Sequence, residues 1–182
     1  MKIYLTYGAA MAFAGAVLNV VLYLLGFHSD PARLTTAQII GACGGLAIGI
    51  SCLTLGIKAR RAEIPPTEEF GYGRALGAGV MITLFGALFN IVVTFIYAKF
   101  INPDFVEVIV QSQIQAMEAK GMPSAQIEGA EKMIRMFSGP IVQSISGFFG
   151  GLIFGTIISL VAAAFLKRPA APESFDEPPA IG

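Results

Sequence analysis

Charge is what this chain lacks, and it lacks it in blocks. Only 13% of its 182 residues are Asp, Glu, Lys or Arg, and none of these falls within 3–29, 34–57, 75–98 or 136–166. A helix rising 1.5 Å per residue needs roughly 20 residues to cross about 30 Å of hydrocarbon, so each block is long enough. A charge at mid-membrane costs about 2.5–3.5 kcal/mol, and four uncharged runs of this length exclude an ordinary soluble domain. The formal net charge of zero gives no reason to expect nucleic acid or a strongly charged substrate. Cysteine is scarce too. Cys43 and Cys52 are nine positions apart on one helix, about 13 Å along its axis, too far to bridge, and they are expected to be small buried thiols. There is one histidine, His28, in a turn beside Asp30 where a solvated side chain is the default. No serine has a histidine and an acid near it, no pair of aspartates lies in a span, and no metal-ligand spacing occurs. Nothing therefore supports an enzyme, a cofactor or a metal site.

What is present is apolar: 55% of residues are hydrophobic. The expected fold is all-α, an integral membrane four-helix bundle forming a single domain over 1–168, with spans at about 3–27, 36–57, 75–98 and 140–166. The first apolar run outlasts the 7–15 residues of a signal-peptide core and no cleavage site follows, so a retained anchor is expected. A charged connector with Pro65-Pro66 and Glu68-Glu69 joins spans two and three. Residues 169–182 hold four prolines and three acids with little to pack, and read as a disordered tail.

Four spans put both termini on one side. Lys2, Lys58, Arg60, Arg61, Arg74, Lys167 and Arg168 collect there, against Arg33, Lys99, Lys120, Lys132 and Arg135 on the other. The dense cluster at 58–61 favours a bacterial cytoplasmic (inner) membrane protein with both termini cytoplasmic. Tyr4, Tyr7 and Tyr72 mark the inner borders, and Tyr23 and Tyr97 the outer ones, as amphipathic rings at headgroup level do.

The loop between spans three and four is too long for a simple link. Asn102-Pro103-Asp104 reads as a helix start, with Asn as the cap. Val106, Val110, Ile114 and Met117 recur at helical spacing. Gly121-Met122-Pro123-Ser124 interrupts, and Ile127, Ala130, Ile134 and Phe137 resume. The expectation is an extracytoplasmic helical hairpin, or one broken helix, over about 102–137. Its apolar stripe would cap the bundle, lie on lipid or meet a partner.

Several stretches carry a family resemblance. They are Phe70-Gly71-Tyr72-Gly73-Arg74-Ala75-Leu76 entering span three, Asn102-Pro103-Asp104-Phe105, the segment Gly121 to Glu128, Gly151-Leu152-Ile153 through Ser159-Leu160, and Leu166-Lys167. In these the chain resembles the domain-of-unknown-function family 4199 over nearly its whole length apart from the tail. The resemblance implies a four-helix membrane protein with a long third loop, and transfers no activity, ligand or catalytic residue.

Glycine spacing is the strongest motif. Gly41, Gly45 and Gly49 in span two, and Gly147, Gly151 and Gly155 followed by Ser159 and Ala163 in span four, form small-xxx-small ladders of the glycine-zipper kind. Such ladders let another helix backbone approach closely. Weaker series are Gly8, Ala12 and Ala16 in span one, and Gly79, Thr83 and Ala87 in span three. Spans two and four could pack on each other, or one ladder could serve a homodimer. Among polar residues, Asn19, Asn90 and Gln143 converge on the outer leaflet, either as an interhelical hydrogen-bond cluster or as a shallow polar vestibule. The leading expectation is a structural or accessory protein acting through helix packing and its external loop, with Asn19 and Asn90 bonded to neighbouring helices. Its partners would be the lipid bilayer and either a homo-oligomer or another membrane protein. The alternative is a small-solute channel or transporter subunit with an outer polar vestibule.

Overall fold

The computed structural model describes residues 1–171. It contains α1 (Lys2–Leu24), a 3-10 turn (Pro31–Arg33), α2 (Leu34–Ala62), α3 (Tyr72–Ile96) running into a π turn (Tyr97–Ile101), α4 (Phe105–Ala119), α5 (Ser124–Phe137) and α6 (Pro140–Leu166). Among the described residues there is no strand, only an isolated antiparallel bridge between Phe70 and Arg168. Among the described residues, four helices are long and apolar enough to cross a membrane: α1, α2 with its leading turn, α3 with its trailing turn, and α6. Helices satisfy their backbone groups internally, which hydrocarbon demands. Their outer faces carry Phe13, Phe149, Ile153, Phe154 and Phe165, the last 81% exposed. An apolar surface this extensive is stable against lipid and not against water.

Helix ends differ from the sequence expectation by several residues, for local reasons. α1 stops at Leu24, because Gly26 adopts φ +79° and the Phe27 and Gly26 amides turn back to the carbonyls of Leu22 and Tyr23, each at 2.9 Å. This is a Schellman closure, whose left-handed residue suits glycine. α4 closes the same way at Gly121, φ +70°, with Met122 N–H to Met117 C=O at 3.2 Å. α2 continues to Ala62 and takes in Lys58–Arg61, since long basic side chains can reach water from a helix that leaves the bilayer.

α3 is the central helix, packed along α6 on one side and α1 on another; α1 also packs on α2, which touches α3 and α6 more lightly. Small residues set the α3–α6 seam. A Cβ added at Gly155 would land inside the Thr83 side chain, one at Gly79 would lie 2.5 Å from Ser159 Oγ, and one at Gly151 would lie 3.9 Å from Ala87 Cβ. The α1–α3 crossing is as close, since a Cβ at Gly8 would stand 2.8 Å from the Gly86 amide nitrogen. The ladder of α6 is thus filled by the weaker series of α3. That of α2 faces an apolar groove of about 430 Å³ shared with Met11, Phe154 and Ile158, and a Cβ at Gly45 would meet nothing within 4 Å. Cys43 is exposed on α2 rather than buried. In a helix apolar all round, composition does not say which face turns inward.

At the end carrying the N-terminus, the connector between α2 and α3 is tied down. Phe70 is fully buried among Ile57, Ala75, Ala78, Ala163 and Leu166. Arg168 Nη2 donates to the carbonyls of Ile64 and Pro65 at 3.0 and 2.9 Å, and Arg61 Nη1 to that of Leu166 at 3.3 Å. Ala171 N–H donates to Pro66 C=O at 2.8 Å, so the first residues of the proline-rich tail are held; from 172 the expected disorder lies outside the described residues.

The long loop is a helical hairpin, α4 then α5, at the opposite end. Its legs differ. α4 lies over the 3-10 turn and the first turns of α2, with Val108 and Val110 buried. α5 has no buried residue, and α4 is its principal contact. Arg135 links the legs, its Nη1 2.6 Å from Glu107 Oε2 and its Nε 2.9 Å from Glu131 Oε1. This guanidinium holds the Glu107 carboxyl below the usual carboxylate range.

Candidate functional site at the hairpin end

Three loop and helix-end residues meet under the hairpin. The Schellman turn at Gly26 sends the chain back over the bundle, and Asp30 starts the 3-10 turn by accepting the Ala32 amide at 2.9 Å and pairing with Arg33 at 3.4 Å. Asp30 is thereby occupied, and His28 turns inward, only 5% exposed. This corrects the expectation of a solvated histidine. Tyr97 opens the π turn, whose wider loop closes through Asn102 N–H to Tyr97 C=O at 2.8 Å. Single π turns within α-helices occur frequently at functional sites. Asn102 does not cap α4. Asp104 occupies that position without a side-chain bond, because the Asn102 amide is committed elsewhere: its Nδ2 donates to the His28 carbonyl at 3.1 Å and to the Tyr97 hydroxyl at 3.4 Å.

The Tyr97 hydroxyl joins the other two side chains. Asn102 Nδ2 can only donate, so the Tyr97 oxygen accepts from it, and the same oxygen lies 2.5 Å from His28 Nδ1. Burial pushes the His28 pKa below the usual 6.5. Phe105, the first residue of α4, packs its ring 4.9 Å from that of His28 and 5.7 Å, edge-on, from that of Tyr97. Tyr23 adds an edge contact to Tyr97 at 6.4 Å. The turn after α1, the end of α3 and the start of α4 are thus joined through one buried polar latch and an aromatic cluster.

Beside the latch lies a notch of about 240 Å³. Ala16, Asn19 and Val20 of α1 line it, with Val93 and Thr94 of α3, Tyr97 of the π turn, Phe105 of α4, and Gln143 of α6. Asn19 and Gln143 therefore share one cavity, though they do not bond to each other. Asn19 Nδ2 donates to Gly15 C=O of its own helix at 3.0 Å, not to a neighbouring helix, and Gln143 Nε2 donates to Ser138 C=O at 2.6 Å. Asn90 stands deeper in the α3–α6 seam, where a Cβ at Gly147 would lie 3.5 Å from its Nδ2. Of the ladder glycines, Gly147, Gly151 and Gly155 lie along that seam, while Gly41, Gly45 and Gly49 line the apolar groove. Sequence reasoning missed His28, Tyr97, Asn102 and Phe105. The available signal was a lone histidine two residues past a helix-ending glycine, and it gave no hint of the tyrosine 69 positions away.

The match to a known family covers residues 6–168, and the family is described as a protein of unknown function, DUF4199. This chain belongs to the DUF4199 family. No curated protein and no solved structure matches it. The fold and the latch described above are therefore those of a DUF4199 member read from its own residues.

Proposed function

We propose that this DUF4199 protein is an accessory membrane protein, not an enzyme, whose bundle is an anchor and whose hairpin is the working surface. The observation that carries the reading is the contrast between the legs: α4 is latched to the bundle through Asn102 and Phe105, while α5 holds Met133, Met136 and Phe137 58–62% exposed. Methionine side chains are flexible and polarizable, suited to a surface that adapts to an apolar partner. The occupant in this reading is a neighbouring membrane protein, a second copy included. Both termini lie in the cytoplasm of a bacterial cell and the hairpin outside it, in keeping with the basic cluster at 58–61. The filled α3–α6 seam, from Asn90–Gly147 down to Gly79–Ser159, favours this reading over a solute channel within one chain.

A photo-crosslinking residue placed at Met136, compared with one at Gln115, tests it in intact membranes. The expected result is a defined protein adduct from position 136 and none from 115, abolished by Met133→Gln with Phe137→Gln. Adducts only with lipid, or equal yields at both positions, would contradict it.

A further inference from the structure

The notch beside the latch has a chemistry the anchor role does not use. It opens between α1 and α6, which flank α3 while making little contact with each other. Two of its polar side chains are carboxamides, Asn19 and Gln143. A backbone carbonyl only accepts, so the nitrogens of Asn19 and Gln143 must be the atoms turned to Gly15 and Ser138. Each side chain then keeps its carbonyl oxygen unbonded. Asn19 is itself exposed, although it lies in a helix long and apolar enough to cross the membrane. A polar group without a partner in hydrocarbon is costly, and the fold does not supply one.

Depth identifies where a partner would come from. Asn19 is five residues from the end of α1 at Leu24, and Gln143 three from the start of α6 at Pro140, about 7 and 5 Å below the helix ends. This is the level just beneath the headgroups. Ligand pockets for drug-sized molecules run about 300–1,000 Å³. At about 240 Å³ the notch takes a head and not a whole molecule, with Val20, Val93 and Phe105 against the first carbons beyond it.

We infer that the notch formed by Asn19, Thr94 and Gln143 is a binding site for a membrane amphiphile whose head donates hydrogen bonds, entering sideways from the leaflet. A primary ammonium or a hydroxyl can pair with the two free carbonyl oxygens; a quaternary ammonium head, which has no N–H, leaves them unpaired. The site stands whether or not the hairpin meets a protein partner.

Native mass spectrometry of the full chain, delipidated and then supplied with phosphatidylethanolamine, phosphatidylcholine or diacylglycerol of the same acyl chains, tests this. Phosphatidylethanolamine and diacylglycerol are expected to be retained at least fivefold more than phosphatidylcholine, diacylglycerol separating hydroxyl donation from any need for phosphate. Asn19→Leu and Gln143→Leu should each erase that preference. Ala16→Phe, which fills the notch without replacing either amide, should do the same while the chain elutes and melts as the parent does. Equal retention of all three lipids, or a preference that survives both leucine variants and Ala16→Phe, would overturn the inference.

Discussion

The two legs of the hairpin carry similar sequence signals and meet different fates. Both α4 and α5 show apolar residues at helical spacing with charges on other faces, and α5 is the more sharply amphipathic. Yet α4 is the one built into the protein. It follows directly from the latch, packs Phe105 against His28 and Tyr97, and buries Val108 and Val110. α5 buries nothing, and a helix of 14 residues is marginal in water on its own. What separates them is connection: α4 begins nine residues after α3 ends, just past the π turn and at a point where three chain segments already converge, while α5 begins beyond a glycine that turns away. Amphipathicity shows that a face wants cover. It does not say whether the same chain provides it.

The comparison breaks most readily at Val110. Placing a carboxylate there by Val110→Asp buries a charge without a partner and is expected to cost about 3 kcal/mol or more in thermal or denaturant unfolding of the detergent-solubilised chain. Met133→Asp, the same charge on the open leg, should stay within about 0.5 kcal/mol of the parent. Equal losses would mean that α5 is as deeply packed as α4.

Tyr97→Phe removes one oxygen and leaves both His28 Nδ1 and an Asn102 donor short of a partner. The expected loss is about 1–3 kcal/mol, with α4 amides exchanging faster and α5 little changed. The latch also sets a pH dependence. His28 is held neutral in the fold with its pKa below 6.5, so the unfolded chain binds the proton more readily. Its contribution is complete above about 6.5 and is lost as pH falls from there through the lower folded value. Protonation places a charge on a ring packed among Tyr97, Asn102 and Phe105, where burial disfavours it. Stability measured from pH 8 to pH 5 should therefore fall, and His28→Gln should flatten that part of the profile. The smallest effect belongs to Arg135→Gln. Its partners are exposed, so the melting temperature should not move measurably, while α5 amides exchange faster for want of the tie to Glu107.

Much of this architecture was legible because lipid imposes strict terms. Missing charges mark where long apolar helices run, and α6, Pro140–Leu166, lies within the uncharged run 136–166. The interruption at Gly121-Met122-Pro123 is the hairpin turn, since a residue at φ +70° and a proline both punctuate helices. What stayed hidden were choices among equals. The ladders of α2 and α6 look alike in sequence, but α3 lies between competing neighbours and takes only the second, through Thr83 and Ala87. Small-residue spacing reports that a backbone can come close, not which one does. Tyr97 served as a border marker because its depth is readable; its bond to His28 depends on the π turn, which no local pattern announced. Asn102 looked like a helix cap because asparagine before proline and aspartate commonly is one, and tertiary partners outbid the cap.

The claim at the centre is that α4 belongs to the bundle and α5 does not. Amide hydrogen exchange of the protein in lipid nanodiscs, comparing residues 105–119 with 124–137, measures it directly, because exchange reports the free energy of local opening. Exchange through α4 at least a hundredfold slower than through α5 is the expected result. Protection of α5 equal to that of α4, with no partner added, would contradict it.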